Sequence, residues 1–177
     1  MRRWEAIAAI APHFGDALVV ACNGMIGRDL WATGDKPTQF YMIGSMGLAS
    51  SIGLGLALAR PKRRVIVLDG DGNVLMNLGT LANIAAAKPA NLYHVILDNG
   101  THASTGDQRT IAPSVPLDEI ARAAGYRWVG RDVAEFFAST GPSCLHLKVE
   151  PGNQKGVPRV EIEPPAMTER FRAEATK

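Results

Sequence analysis

"VIVLDGDGNVLMNLGTLANIAAAKPANLYHVILDNG", residues 65–100, contains two continuous apolar runs separated by a segment of small residues. Continuous apolar runs of this length are typical of strands that are buried on both faces of a sheet. The segment from about Gly79 to Ala87 is rich in alanine and is followed by Pro89, which indicates a helix that ends there. A strand, a helix and a strand in this order predict two parallel strands joined by a crossover helix.

Strand-like and helical segments alternate along most of the remaining chain. We expect a helix from about Leu48 to Ala59, and an amphipathic helix near the start, where Trp4, Ile7 and Ile10 lie at helical spacing. Residues 23–35 are expected to form a loop with at most one helical turn. The alternation predicts an α/β fold, a parallel sheet with helices on both faces. Further strands are expected at 17–22, 39–43, 126–130 and 143–150, and further helices at 116–125 and 132–140.

The last residues, 151–177, differ from the rest because they are rich in proline at first and then polar and charged. We expect an extended tail there, packed on the domain or on a partner, with a short terminal helix as one possibility. Residues 1–150 are expected to form a single domain, since a chain of 177 residues is of ordinary size for one core.

The overall composition excludes several classes of protein. A net charge of +2 with no dense basic run gives no surface for nucleic acid. No segment is long and apolar enough to cross a bilayer, and Glu5 and Pro12 interrupt the apolar N-terminus too early for a secretion signal. Cys22 and Cys144 lie far apart in apolar runs, which predicts buried reduced thiols and a cytoplasmic protein rather than a zinc or iron–sulfur site.

Three polar turns follow predicted strands: "GSMG" (44–47), "GDGN" (70–73) and "NGTHASTG" (99–106). Ligands of parallel sheets bind beyond the carboxyl ends of the strands. There Asp71 and Asn99 would follow neighbouring strands, and their oxygens suit Mg²⁺ or Ca²⁺, with phosphate and water completing the coordination. Gly72 would let the backbone approach an anion. Considered alone, "GDGN" fits equally well a tight turn in which Asp71 caps a helix.

Gly70-Asp71-Gly72, followed by 25 residues and Asp98-Asn99, resembles the signature of the thiamin-diphosphate decarboxylase and acetolactate-synthase superfamily. The resemblance implies that Mg²⁺ is bound by Asp71, Asn99 and the main-chain carbonyl of Thr101. It also implies that the carbonyl of Gly44 contacts the aminopyrimidine of thiamin diphosphate and that Met46 lies under the cofactor. The cofactor-binding residues that it implies are Gly44, Ser45, Met46, Gly70, Asp71, Gly72, Asn73, Asn99 and Thr101.

A narrower resemblance covers residues 15–150. "GDALVVACNG", "FYMIGSMGLASSIGLGLALA", "GDGNVLMNLGTLANIA" and "LDNGTHASTGDQ" are similar to the cofactor-binding half of the sulfopyruvate and phosphonopyruvate decarboxylases. The resemblance implies that residues 1–150 bind thiamin diphosphate and Mg²⁺, and that the reaction removes CO₂ from a small 2-oxo acid with a terminal sulfonate or phosphonate. Sulfopyruvate, giving sulfoacetaldehyde, is the substrate that we expect.

The same resemblance implies an incomplete active site. In the family, the glutamate that activates the cofactor belongs to a separate pyrimidine-binding domain, and no glutamate of this sequence matches it. We therefore expect a β subunit whose α subunit supplies this glutamate, in an α₂β₂ or larger assembly. His102 is the candidate catalytic group, although a loop histidine bonded to backbone fits as well. Gln108 and Arg109 could meet the sulfonate, and a solvated surface is the alternative for Arg109.

Two other functions stay open on the sequence. One is a different thiamin enzyme, either the β chain of a 2-oxoacid ferredoxin oxidoreductase, which usually carries cysteine clusters, or an acetolactate-synthase fragment. The other is a regulatory module that binds a phosphate or nucleotide without catalysis. The second leaves "GSMG" unexplained.

Overall fold

The computed structural model describes residues 1–177 and contains a six-stranded sheet. The strand order is β2-β1-β3-β4-β8-β7, and every neighbouring pair in it is parallel. A separate antiparallel hairpin is formed by β5 and β6. The strands are β1 Leu18–Ala21, β2 Gln39–Tyr41, β3 Val65–Gly70, β4 Leu92–Asp98, β5 Thr101–His102, β6 Gln108–Arg109, β7 Trp128–Gly130 and β8 Ser143–Lys148.

Eight α-helices accompany the sheet. All seven residues of β4 are buried. Because successive side chains of a strand point to opposite faces, both faces of the sheet must be covered, as the predicted α/β fold requires. No helix is long and apolar enough to cross a membrane. The helices are α1 Arg3–Ile10, α2 Met25–Thr33, α3 Ala49–Ala59, α4 Asp71–Met76, α5 Gly79–Ala87, α6 Leu117–Ala124, α7 Val133–Ala138 and α8 Pro164–Ala175.

The central strands β3 and β4 place the predicted polar turns side by side. Asp69 pairs with Ile96 and Gly70 pairs with Leu97 in the parallel register. Asp71 and Asn99 therefore leave the sheet from adjacent strands and at the same edge, as the sequence predicted.

One part of the secondary-structure prediction was wrong, and the structure settles an alternative that was left open in the tail. Residues 25–33 form the nine-residue helix α2, not a loop with a single turn, because Ile26 and Leu30 give it a buried face. The tail has no helix or strand from 151 to 163, as expected, and the terminal helix that was one possibility is present as α8, which runs for twelve residues and buries Met167 and Phe171. Its two prolines stand in the first turn of the helix, where the missing N–H groups cost nothing.

The packing of α3 on β3 depends on Gly53. A Cβ atom at this position would lie 2.2 Å from Cγ2 of Val67, in the middle of β3. Any side chain larger than hydrogen would push the helix from the sheet.

We predict that Gly53→Ala lowers the free energy of unfolding by about 1–3 kcal/mol through this overpacking. Gly55→Ala, in the same helix, is the matched control, because a Cβ there meets nothing within 4 Å. The control should raise stability by roughly 0.5–1 kcal/mol, as alanine does in helix interiors. Urea unfolding followed by circular dichroism measures both. Equal effects of the two substitutions would contradict this account of the packing.

Candidate active site

A pocket opens at the carboxyl ends of β1, β3 and β4. Of the predicted site residues, only Gly44 and Ser45 do not contribute to its wall. Asp71 is the only acidic residue in the wall, and Arg3 is the only arginine or lysine. The predicted residues that line the pocket are Met46, Gly70, Asp71, Gly72, Asn73, Asn99, Thr101 and His102.

Asp71 is buried at the first position of α4, and Gly70, not Asp71, occupies the N-cap. One of its carboxylate oxygens, Oδ2, accepts a hydrogen bond of 2.5 Å from the hydroxyl of Thr110. Burial raises the pKa of the Asp71 carboxyl, and the charge of Asp98 raises it further, while the Thr110 hydrogen bond lowers it. Asp71 is thus a fixed carboxylate in the pocket wall and not a helix cap.

The backbone at Gly72 is the point on which two predicted site residues converge. A Cβ atom there would lie 2.7 Å from Cε1 of His102 and 3.3 Å from the terminal methyl of Met46. The space above Gly72 is therefore bounded by an imidazole ring and a thioether. A Cβ atom at position 72 would require the His102 ring to move.

The hairpin that follows β4 holds several pocket residues in one rigid unit. Asn99 accepts a hydrogen bond through its Oδ1 from the N–H of Thr101, at 3.1 Å. His102 pairs with Gln108 across the hairpin, and the N–H of Thr110 donates to the carbonyl of Gly100. Since the hydroxyl of Thr110 also contacts Asp71, the hairpin is fixed directly to the start of α4.

Both polar atoms of the Asn73 side chain are hydrogen-bonded within the protein. Its amide Nδ2 donates to Asp69, and its Oδ1 accepts from the N–H of Gly47. Asn73 thereby ties the loop that carries Met46 to the end of β3. On the other side, Oδ2 of Asp69 lies 3.1 Å from Nε2 of His94 in the buried core.

The other candidates on the hairpin are more peripheral. Arg109 is exposed and lines a neighbouring second pocket, together with His102 and Ile111. Gln108 accepts a hydrogen bond of 2.8 Å from the hydroxyl of Thr105. Arg109 is therefore near the site but outside the main pocket.

Some pocket residues were missed by the sequence analysis. Asn23 and Met25 line the pocket after β1, and the strand-end rule that selected the other turns could have selected this one too. Thr110 and Arg3 gave no local signal. Their places depend on contacts with residues 39 and 26 positions away along the chain.

The oxygen atoms at this edge are those of one carboxylate, one carboxamide and backbone carbonyls, which suit a hard divalent cation. The structure contains no group of three or more His, Cys, Asp or Glu side chains that could hold a metal ion. A cation bound between Asp71 and Asn99 would therefore take further ligands from a bound anion. The pocket that Asp71 and Asn99 line is also lined by the backbone of Gly70 and Gly72, so a group that carries such an anion, for example a diphosphate, could bind there.

Residues 20–146 match the family model described as "Thiamine pyrophosphate enzyme, C-terminal TPP binding domain". The chain therefore belongs to the thiamine pyrophosphate enzymes, and the resemblance stated from its sequence is confirmed.

Among its relatives, the chain is 43% identical to the sulfopyruvate decarboxylase subunit beta of Methanothermobacter thermautotrophicus, covering 97% of this chain and 94% of that subunit. It is 44% identical to the phosphonopyruvate decarboxylase of Streptomyces viridochromogenes, covering 97% of this chain but only 45% of that enzyme.

The fold is also similar to that of the thiamine diphosphate-dependent 4-hydroxybenzoylformate decarboxylase of Rhodococcus jostii. The TM-score is 0.71 at 21% identity, over 85% of this chain and 33% of that one. The predicted α/β fold is thus confirmed.

We predict that Asp71→Asn abolishes measurable binding of Mg²⁺ with thiamin diphosphate while the fold survives. Breaking a buried charge pair costs about 3–5 kcal/mol, which is at least about a 100-fold loss of affinity. The fold should survive because burial already disfavours the charged form. Calorimetric titration and circular dichroism are the measurements. Asp16→Asn, at an exposed carboxylate outside both pockets, is the control. Equal affinities of the two variants would contradict a role for Asp71 as ligand.

Proposed function

We propose that this protein is the cofactor-binding β subunit of a two-subunit thiamin-diphosphate-dependent decarboxylase that converts sulfopyruvate into sulfoacetaldehyde and CO₂. The observation that carries the proposal is the 43% identity over nearly the whole length of a sulfopyruvate decarboxylase β subunit. The pocket geometry supports it, because the predicted ligands Asp71 and Asn99 lie at adjacent strand ends beside the Gly72 backbone.

In this proposal the chain's residues hold the cofactor and its metal. Asp71, Asn99 and the carbonyl of Thr101 bind Mg²⁺, and Thr110 orients the carboxylate of Asp71. Gly70, Gly72 and the loop 44–46 contact the cofactor, with Met46 beneath it. Thiamin diphosphate, once bound, would accept the electron pair that remains on the substrate when CO₂ departs.

His102 is the catalytic group that we propose on this chain. Its ring lies against Gly72 and borders both pockets, so it can contact a substrate carboxylate or donate a proton to the carbon that loses CO₂. The alternative was a loop histidine that is bonded to backbone. The imidazole makes no hydrogen bond to the protein, which favours the catalytic role.

The partner in this proposal is an α subunit that carries the pyrimidine-binding domain and the activating glutamate, in an α₂β₂ or larger complex. No glutamate lines the pocket. The phosphonopyruvate decarboxylase relative, of which this chain covers only 45%, has room for both halves in one chain. Three large apolar side chains near the loop 44–47 and the two pockets are 64–75% exposed, and such a patch is typical of an interface. They are Ile43, Met76 and Ile111.

Both cysteines are buried and free, which agrees with a reducing cytoplasm. Phosphonopyruvate is the second candidate substrate, since the identity to phosphonopyruvate decarboxylase is 44%. Acetolactate-synthase chemistry is less favoured, because the relative described as a putative acetolactate synthase large subunit of Mycobacterium tuberculosis is 29% identical over 66% of this chain.

The substrate assignment predicts that the enzyme strongly prefers a 2-oxo acid that carries a second anionic group. With the partner subunit present, kcat/KM for sulfopyruvate or phosphonopyruvate should exceed that for pyruvate by about 10- to 100-fold. This corresponds to one charge-assisted hydrogen bond, worth roughly 1.5–3 kcal/mol.

Steady-state kinetics with the three substrates test this prediction. Arg109→Gln should reduce the preference if Arg109 binds the anion, whereas Arg127→Gln, an exposed arginine outside both pockets, should not. A preference for pyruvate or for a bulky apolar 2-oxo acid would overturn the substrate assignment and leave the cofactor assignment standing.

A further inference from the structure

Arg3 is a buried arginine in the wall of the cofactor pocket, with 2% of its surface exposed. It is the first residue of α1. The guanidinium is close enough to Cys22, at the end of β1, to lower the pKa of that thiol against the larger effect of burial. Arg3 therefore lies at the same sheet edge as Asp71.

The guanidinium is held from two sides but not fully occupied. Its Nε donates to Oδ2 of Asp29 at 2.7 Å, and Nη2 donates to Oδ1 of Asn153 at 3.0 Å. An arginine has five N–H donors, so three remain without a protein partner. Asp29 uses only one oxygen here, since its Oδ1 is buried without a hydrogen bond. The pair is therefore joined by one hydrogen bond and not by the two parallel bonds that arginine and a carboxylate often form.

The three free N–H donors of Arg3 could bind an anion in the pocket. A diphosphate ester carries more negative charge than one divalent cation neutralises, and Asp71 adds a further negative charge. Arg3 is the only arginine or lysine in the wall that could offset this excess. A buried cation acts more strongly than a solvated one, because the surrounding protein screens it less than water does.

We propose that Arg3 binds the diphosphate of the cofactor, and that Asp29 and Asn153 hold its guanidinium in position. This inference rests on the proposed function. Nδ2 of Asn153 also donates to the carbonyl of Ala103 at 2.7 Å. The tail, the hairpin and the first helix thus meet at this arginine. A role of this kind explains why a charged side chain is buried where an apolar one would cost less.

The alternative is an ion pair that only joins α1 to α2. The two roles predict effects of opposite sign for Asp29. If the pair is structural, removing either partner weakens the site in the same direction, through loss of packing. If Arg3 binds an anion, Asp29→Asn leaves its charge less neutralised and preserves or tightens anion binding, whereas Arg3→Gln weakens it.

The experiment is a calorimetric titration of the full chain with inorganic pyrophosphate and Mg²⁺. Arg3→Gln should weaken binding by about 10- to 100-fold, the range of one charge-assisted hydrogen bond. Arg3→Lys should retain part of the affinity, because it keeps the charge and loses the planar fork. Arg2→Gln is the matched control, since Arg2 pairs with Glu150 and lies outside the pocket wall. Titration with methanesulfonate separates a substrate anion from the diphosphate and should give the same result for Arg3→Gln and wild type.

Circular dichroism verifies that each variant is folded. If Arg3→Gln does not fold, the double variant Arg3→Gln/Asp29→Asn removes both buried charges and takes its place. Unchanged pyrophosphate binding by a folded Arg3→Gln or double variant overturns the inference and leaves the proposed function standing. If the Arg3→Gln substitution weakens the binding of methanesulfonate but not of pyrophosphate, the inference is likewise overturned. Failure of the wild-type chain to bind pyrophosphate with Mg²⁺, and thiamin diphosphate in the presence of its partner, contradicts both.

Discussion

The parallel pairing of β3 with β4 is the constraint on which the site depends. Its register aligns Gly70 with Leu97, so that the two strands end together and release Asp71 and Asn99 at one edge. Shifting a strand by one residue would exchange its two faces, and every residue of β4 is buried. The same apolar side chains that stabilise the sheet therefore fix the position of the polar ligands.

Around this edge, the exact placement of buried polar side chains lowers the stability of the fold. Asp71 and Asp69 are both buried, and each is held by neighbours from a different part of the chain. Thr110 fixes Asp71, and Asn73 and His94 contact Asp69. A buried carboxylate costs free energy unless it is hydrogen-bonded or neutralised. In our account the bound metal offsets part of this cost, and the hairpin keeps the ligands at fixed positions before the metal arrives.

The sequence predicted most of what depends on local pattern. Buried strands, the α5 helix and the polar strand ends were identified because each signal lies within a short stretch. Helix α2 was missed because three glycines at positions 24, 27 and 34 hid its apolar face. The terminal helix was left as one possibility because proline at a helix start resembles proline in a loop. Arg3 could not be assigned, since its partners Asp29 and Asn153 are 26 and 150 positions away.

The central claim is that this chain holds half of a cofactor site and that its partner supplies the other half. The direct measurement is calorimetry of thiamin diphosphate with Mg²⁺, titrated into the chain alone, the α subunit alone and the two together. We expect weak binding to the lone chain, because its ligands reach only the diphosphate and one edge of the pyrimidine. The mixture should bind tightly. Tight binding by the lone chain, or no binding by the mixture, would contradict the account.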